Sequence, residues 1–221
     1  MANFLSVNNT AFTVLGYAMS YVEFIGTILY LWSAWLTAKR NILTWPIGIV
    51  SVLLYMILFY QIRLYSDTIE QMYFLGASIY GWWAWKKSPQ ENGQIADVEY
   101  GNLKSLLTWA ALTLVVSVIF GFLMSRIHTL LPVVFPEAAS FPYLDALTTI
   151  MSFSAMWLLA QKKTENWVYW IIVDVIGIWL YFVKDVKFIS LLYVALLIIA
   201  VNGLRMWHKA KNKTALAEQV A

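Results

Sequence analysis

The feature that most constrains this fold is a series of long apolar segments. Each contains about 20 residues, the length that an α-helix needs to cross roughly 30 Å of hydrocarbon. Hydrophobic residues make up 61% of the 221 residues and charged residues only 12%, values typical of polytopic membrane proteins. The sequence predicts an all-α membrane fold with seven spans, at about residues 21–38, 44–62, 67–85, 104–125, 143–161, 166–184 and 187–207.

The segments outside these spans differ in character. Residues 1–20 are apolar but contain Asn, Ser and Thr, so we expect either an interfacial helix or an early extension of the first span. KKSPQENGQIADVEYGN, after the third span, is predicted to be an exposed loop because it contains Pro and Gly. The three prolines of RIHTLLPVVFPEAASFP argue against a continuing fourth helix. The polar tail from Lys209 is expected to fray.

An internal repeat is the strongest signal after the spans. An offset of 122 residues places Trp45 on Trp167 and Trp85 on Trp207 without a gap. Each copy contains three spans and one span separates the copies, so both copies enter the membrane in the same direction. This predicts two parallel three-helix repeats joined by a linker helix, a 3-1-3 arrangement like that of SWEET transporters. The predicted units are an amino-terminal segment (1–20), the first repeat (21–87), a loop with the linker helix (88–140), the second repeat (141–209) and a flexible tail (210–221).

The basic residues predict the orientation. Eleven lie on one side of the predicted spans and four on the other, which places the first side in the cytoplasm, the amino terminus outside and the carboxyl terminus inside. The cytoplasmic set is Lys39, Arg40, Lys86, Lys87, Lys104, Lys162, Lys163, Arg205, Lys209, Lys211 and Lys213, and the outer set is Arg63, Arg126, Lys184 and Lys187. Four tryptophans at the cytoplasmic ends are then expected to form an aromatic belt that anchors the protein: Trp45, Trp85, Trp167 and Trp207.

One carboxylate, Asp174, lies at the centre of the apolar stretch WVYWIIVDVIGIWLY. It shares a helical face with Trp170, Gly177 and Tyr181, at spacings of three and four. A charge at membrane depth costs roughly 2.5–3.5 kcal/mol on insertion scales, so such a group usually faces the bundle interior and has a function. Asp174 therefore either makes a structural hydrogen bond to a neighbouring helix or lines a ligand site between aromatic side chains.

Two long stretches resemble the PnuC family of vitamin transporters. WPIGIVSVLLYMILFYQIRLYSDTIEQMYFLGASIYGWWAW (Trp45 to Trp85) is similar to the first half of that family, and NWVYWIIVDVIGIWLYFVKDVKFISLLYVALLIIAVNGLRMW (Asn166 to Trp207) to its second half. The resemblance implies a carrier in the bacterial inner membrane that moves nicotinamide riboside by facilitated diffusion. Relatives for thiamine and riboflavin leave the vitamin itself open.

The residues suit such a substrate, which combines a cationic aromatic ring, a carboxamide and a ribose. A flat cation favours aromatic faces and a carboxylate, and desolvated cation–π contacts reach about 2 kcal/mol. The predicted substrate-binding residues are Asp174, Trp170, Trp179 and Tyr181 on the sixth span, Tyr55 and Ser51 on the second, and Gln71, Tyr80 and Asn202 for the carboxamide and hydroxyls. Helix packing explains the aromatic residues and Asn202 equally well.

Two further carboxylates are predicted at the outer mouth. Glu23 and Asp145 either attract a cation or simply suit the amino termini of their helices. No basic residue is expected at the membrane centre, so a phosphorylated substrate should be excluded. Transport should be uncoupled, and phosphorylation in the cytoplasm would trap the riboside.

Several other classes of function fit the sequence less well. The chain has no cysteine and only two histidines, so disulfides and thiolate metal sites are excluded and we expect no metal, no cofactor and no catalytic residues. An intramembrane enzyme, a receptor and a SWEET-type sugar carrier stay as alternatives. The expected partners are the riboside and the lipid bilayer, not nucleic acid, and a homotrimer is one option for the oligomeric state.

Overall fold

The chain forms seven α-helices within residues 4–14, 16–95, 98–131, 138 and 140–220, the part that the computed structural model describes. Every predicted span is confirmed as a helix, and α4 and α7 are longer than expected. The helices are α1 (Tyr21–Ala38), α2 (Thr44–Gln61), α3 (Tyr65–Lys86), α4 (Leu103–Leu130), α5 (Pro142–Ala160), α6 (Asn166–Val183) and α7 (Lys187–Val220).

Five of the described helices are long and apolar enough to cross a membrane, namely α2, α4, α5, α6 and the part of α7 from Lys187 to Lys211. The other two are long enough, with 18 residues in α1 and 22 in α3. The mean hydropathy of α1 is lowered by Glu23 and by its Trp and Thr residues. The mean hydropathy of α3 is lowered by the charged residues of its first turns. The all-α membrane class predicted from the sequence is therefore confirmed.

Six of the helices pack as a closed ring. Neighbours along the chain pack together in the order α1, α2, α3 and again in the order α5, α6, α7. The ring closes because α7 packs on α1 and α3 packs on α5. The remaining helix, α4, packs on α5 from outside the ring. Residues that point inward from α1, α3, α6 and α7 can therefore meet in one interior.

Contacts at one end of the ring recur at the 122-residue offset. The indole Nε1–H of Trp85 donates to the carbonyl of Leu159 (3.3 Å), and that of Trp207 donates to the carbonyl of Thr37 (3.0 Å). Adding 122 to Trp85 and Thr37 gives Trp207 and Leu159. Exchanging the two repeats therefore converts one of these hydrogen bonds into the other. Backbone turns recur in the same way, with positive φ at Arg40 (57°) and Lys162 (60°), and at Arg63 (61°) and Asp185 (59°).

The predicted aromatic belt is wrong, because its four tryptophans are buried together rather than exposed to the membrane interface. Trp45, Trp85, Trp167 and Trp207, which we call the tryptophan floor, are 2%, 0%, 3% and 0% exposed. Trp45 meets Trp85 edge-on at 5.1 Å, and Trp207 meets Trp167 at 5.8 Å. The physical reason is a pair of glycines, since the Trp45 ring lies over Gly81 and the Trp167 ring over Gly203.

The amino-terminal segment is neither an interfacial helix nor an extension of α1. It forms an antiparallel hairpin of β1 (Thr10–Val14) and β2 (Tyr17–Ser20). A turn residue, Gly16, has φ of 81°, a conformation that favours glycine. Tyr17 stacks on Phe188 at the start of α7, at 5.9 Å. Residues 1–3 and 15 of the segment lie outside the described residues.

The loop after α3 is only partly exposed, contrary to the prediction. It contains a short hairpin of β3 (Gln90–Glu91) and β4 (Gln94–Ile95), and Ile95 is 0% exposed because it packs into the core around the tryptophan floor. Arg40 Nη1 donates to the carbonyl of Ile95 (2.9 Å), and Lys163 forms an ion pair with Glu99. The loop therefore joins the α1–α2 turn to the α5–α6 turn. Residues 96–97 lie outside the described residues.

The remaining differences from the prediction concern the ends of α4, α5 and α7. α7 continues as a helix to Val220, through the segment that we expected to fray. The prolines at positions 132 and 136, which argued against a continuing fourth helix, lie outside the described residues. α4 ends at Leu130, and Pro142 occupies the first turn of α5, a position that suits proline because it needs no backbone N–H.

Candidate functional site

Asp174 is a buried carboxylate in the interior of the ring. It lies midway along α6, between the packing partners α5 and α7, and is 3% exposed. Within the described part of the chain its carboxylate has no hydrogen-bond or ion-pair partner, so the predicted alternative of a structural hydrogen bond finds no support there. A buried charge without a partner is unfavourable for the empty protein. The arrangement therefore suits a site that binds a positively charged group.

Two tyrosines, Tyr30 and Tyr193, lie near enough to this carboxylate to interact with it electrostatically. The hydroxyl of Tyr30, from α1, interacts electrostatically with Tyr55 of α2, Glu70 of α3 and Asp174 of α6. Tyr193, from α7, interacts with Tyr30, Glu70 and Asp174. Groups from four other helices thus interact with Tyr30, yet this residue is still 36% exposed. Tyr30 therefore links groups of α2, α3, α6 and α7 in the ring interior.

The charged and aromatic groups lie at two depths. Counted along each helix from the tryptophan floor at 1.5 Å per residue, Asp174 lies about 10 Å from the floor. By the same count Glu70, Tyr181 and Tyr193 lie about 21–22 Å from it. Tyr181 and Tyr193 stack at 5.4 Å with an interplanar angle of 20°. Gly177 makes this possible, because a Cβ there would be 2.5 Å from the Tyr193 ring.

The two predicted residues of α2 face α1. Ser51 is buried and donates to the carbonyl of Gly26 (2.8 Å), so its hydroxyl is used in helix packing. The Tyr55 hydroxyl lies 2.7 Å from Thr27 Oγ1. Tyr55 also interacts with Tyr30. Of this pair, Tyr55 therefore lies closer to the interior groups.

The remaining predicted residues are spread over the molecule. Tyr80 is 38% exposed and stacks on Trp157 of α5 at 5.3 Å, while Trp170 packs against the core around the tryptophan floor. Trp179 is 51% exposed and meets Phe141, because five residues from Asp174 place it on another face of α6. Gln71 is partly buried on α3, and Asn202 is exposed on α7.

The predicted outer vestibule lies at the end of the ring opposite the floor. Glu23 accepts a hydrogen bond from the Tyr17 hydroxyl (2.6 Å), and burial together with this bond raises the pKa of Tyr17. Asp145 forms an ion pair with Lys184 at 3.4 Å. Asp145 also interacts with Asp67 in the first turn of α3. Glu23 therefore helps to hold the amino-terminal hairpin, and Asp145 belongs to a second acidic group.

Sequence reasoning missed three residues of the interior: Tyr30, Glu70 and Tyr193. For Glu70 a signal existed, because a carboxylate within a predicted span is a functional candidate in its own right. Tyr193 corresponds to Gln71 at the 122-residue offset, so the repeat also pointed to its position. Tyr30 had no such signal, since it is one of several aromatic residues in α1.

Comparison with known proteins shows the family. Residues 20–209 match the family described as nicotinamide mononucleotide transporter. The nicotinamide riboside transporter PnuC of Escherichia coli (strain K12) is 34% identical over 208 residues, which cover 87% of each chain. The riboflavin/roseoflavin transporter RibM of Streptomyces davaonensis is 25% identical over 203 residues, which cover 91% of each chain.

A solved structure has the same fold. The crystal structure of the vitamin B3 transporter PnuC matches this chain with a TM-score of 0.69 at 20% identity, covering 87% of this chain and 83% of that one. The fold defines a multi-pass membrane protein, and the family is one of transporters. The chain belongs to the PnuC family of membrane transporters. The predicted resemblance is therefore confirmed, and the intramembrane-enzyme alternative is rejected.

Proposed function

We propose that this protein carries nicotinamide riboside across the bacterial inner membrane by facilitated diffusion. One observation carries the proposal: Asp174 is buried in the ring interior, near enough to Tyr30 and Tyr193 to interact with them electrostatically, and its charge has no partner among the described residues. The riboside supplies a flat positive ring that suits a carboxylate and aromatic side chains. The 34% identical E. coli relative is named as a transporter of this compound.

The helices support a 3-1-3 arrangement of two parallel repeats with α4 as the linker. Exchanging the first repeat for the second converts the α1–α7 contact into the α5–α3 contact, and both contacts occur. The two indole hydrogen bonds across the floor obey the same exchange. Substrate would then bind in the ring between the repeats, as expected for SWEET-like folds.

We assign the tryptophan floor to the cytoplasmic end and the amino-terminal hairpin to the outside. The excess of Lys and Arg at the floor end supports this orientation. Asp174 then contacts the nicotinamide ring, and Tyr181 lies about 10 Å further toward the outside. Trp170, Trp179, Tyr55 and Ser51, and also Gln71, Tyr80 and Asn202 for the carboxamide and ribose, stay as predicted contacts of this site.

The family is named for nicotinamide mononucleotide and the E. coli relative for nicotinamide riboside, two compounds that differ by one phosphate group. The interior favours the riboside, which lacks the phosphate. Every Lys and Arg of the described residues lies in a loop, near a helix end, or in the part of α7 from Arg205 onward, at the level of the tryptophan floor or beyond it, so none is placed to bind a phosphate beside Asp174. A phosphate carries about −1.5 to −2 charges at neutral pH and would be repelled there. Transport is then uncoupled, and cytoplasmic phosphorylation traps the riboside.

Titration of the purified protein with nicotinamide riboside, thiamine, riboflavin and glucose tests the proposed substrate. The strongest binding is expected for the riboside. Riboflavin is the second candidate because of the 25% identical RibM, but it is neutral and gains nothing from a buried carboxylate. Stronger binding of riboflavin or glucose would contradict the proposal.

Counterflow in vesicles without a kinase tests the exclusion of phosphate. Unlabelled riboside should compete with labelled riboside, and the ribotide should not. Equal competition by the ribotide would show that the interior accepts a phosphate. Accumulation that depends on a pH gradient at constant membrane potential would show that transport is coupled.

A further inference from the structure

Glu70 is a second carboxylate of the ring interior, and the site described above leaves it without a role. It shares a face of α3 with Tyr73, Ala77 and Gly81 at spacings of three and four. The Tyr73 hydroxyl donates to a carbonyl of α5 (2.8 Å), and Ala77 is 7% exposed. This face of α3 is therefore turned away from the surrounding membrane. In the part of the chain that the structure describes, Glu70 has no hydrogen bond and no ion pair.

Its carboxylate lies between the outer end of the ring and Asp174. Asp145, near the outer end, interacts with Asp67, and Asp67 interacts with Glu70. The Tyr193 hydroxyl then interacts with both Glu70 and Asp174. By the rise along the helices, Glu70 lies about 11–12 Å nearer the outer end than Asp174. The carboxylates thus form a series that leads inward.

Such a series is unfavourable in an empty protein, because like charges repel and each carboxylate loses part of its hydration. Within the described residues only Asp145 has a basic partner, Lys184. A positively charged occupant offsets both penalties. Asp174, at the inner end of the series, gives independent evidence for such an occupant, since it is 3% exposed and has no partner among the residues that the structure describes.

Asp174 alone cannot attract a cation strongly along the whole path through the ring. Coulomb attraction falls inversely with distance, so its pull is weak at the depth of Glu70. In this series of described carboxylates, only Glu70 lies on the stretch between Asp67 and Asp174. A carboxylate partway along the path divides this stretch into two shorter steps.

We propose that Glu70 forms an outer binding station for a flat, singly charged organic cation on its way to Asp174. The inference rests on the proposed function, and it adds a residue that selects for charge. The stacked Tyr181–Tyr193 pair lies at the same depth and is partly exposed. These rings offer an aromatic surface for the ligand, while Glu70 offers the negative charge.

The test measures initial uptake into proteoliposomes with two probes of nearly the same shape. Nicotinamide riboside carries the positive charge, and its reduced dihydro form is neutral. Glu70→Gln keeps the size of the side chain and removes its charge. We expect kcat/KM for the cation to fall by about tenfold or more, equivalent to about 1.4 kcal/mol. Uptake of the neutral form should change less than about twofold, because no charge is involved.

Asp185→Asn is the matched control. This carboxylate lies on the outer turn after α6 and forms an exposed ion pair with Lys187. Its φ of 59° suits asparagine, so the variant should fold normally. It removes one outer negative charge without touching the ring interior, and uptake of both probes should match the wild type. A loss as large as that of Glu70→Gln would show that only the overall surface charge matters.

Three further results overturn the station. The first is normal cation uptake by Glu70→Gln, and the second is an equal loss for both probes, which would mean a structural role. The third is loss of cation selectivity in Glu70→Asp, which keeps the charge and should retain most of it. A wild-type protein that carries neither probe would refute the proposed function together with the station, whereas these three results refute the station alone.

Discussion

Replacing Gly203 by Ala tests how closely α6 and α7 pack at the tryptophan floor. The added Cβ would lie 2.5–2.7 Å from three atoms of the Trp167 ring, whereas carbon atoms pack best at about 3.5–4.0 Å. The ring is 3% exposed and packs against Trp207, so it has no free space to enter. Overpacking costs about 1–3 kcal/mol, and the better helix propensity of Ala returns about 0.5–1 kcal/mol. We expect a net loss of about 1–2 kcal/mol.

Thermal unfolding in one detergent measures this change, and Gly76→Ala is the control. Gly76 also lies within a helix, but a Cβ there would meet no atom within 4 Å. That variant should be unchanged or stabilised by about 0.5–1 kcal/mol. For a chain of this size each kcal/mol corresponds to about 2–4 °C in Tm. If Gly203→Ala were as stable as Gly76→Ala, the close packing of the floor would be refuted.

Three further predictions concern the interior and the loop. Asp174→Asn should weaken riboside binding more than tenfold, about 1.4 kcal/mol, in calorimetric titration of folded protein; unchanged binding would restore a purely structural role. Gly177→Ala should displace the Tyr193 ring, which would lie 2.5 Å from the new Cβ, and reduce riboside affinity relative to Gly76→Ala. Lys163 lowers the pKa of Glu99 below its ordinary 4.5 through a hydrogen bond and its charge. This pair therefore stabilises the loop above about pH 4.5 and is lost as the pH falls through the lowered folded-state pKa; limited proteolysis of the loop should accelerate over that range in the wild type but not in Glu99→Gln.

The sequence was sufficient for the helices because each needed only a local property, an apolar run of the right length. Asp174 was found for the same reason, since a single carboxylate in such a run is conspicuous. The tryptophan floor was misjudged because Trp at a span end fits an interfacial anchor and a buried plug equally well. Only the packing of Gly81 and Gly203 against those rings decides between them.

The interior itself was harder to predict, because it depends on which faces of distant helices meet. Tyr30 becomes a central residue only when α1 closes the ring against α7. Trp179, although close to Asp174 in sequence, lies on another face of α6. The amino-terminal hairpin gave a weak signal, because its strands contain only five and four residues, and its apolar composition equally suits a helix.

The tryptophan floor also has an electrical consequence. A ring that contains carboxylates and phenols would let ions and protons leak if water filled it from one end to the other. Trp85 and Trp207, both 0% exposed, are held by hydrogen bonds that join α3 to α5 and α7 to α1. Because these rings are buried at one end of the ring of helices, we expect the floor to act as an insulating layer in this conformation, and we expect a solute to leave toward the floor only when these indole bonds break. The floor, whose Trp85 and Trp207 rings join the two halves, would therefore also protect the ion gradients of the membrane.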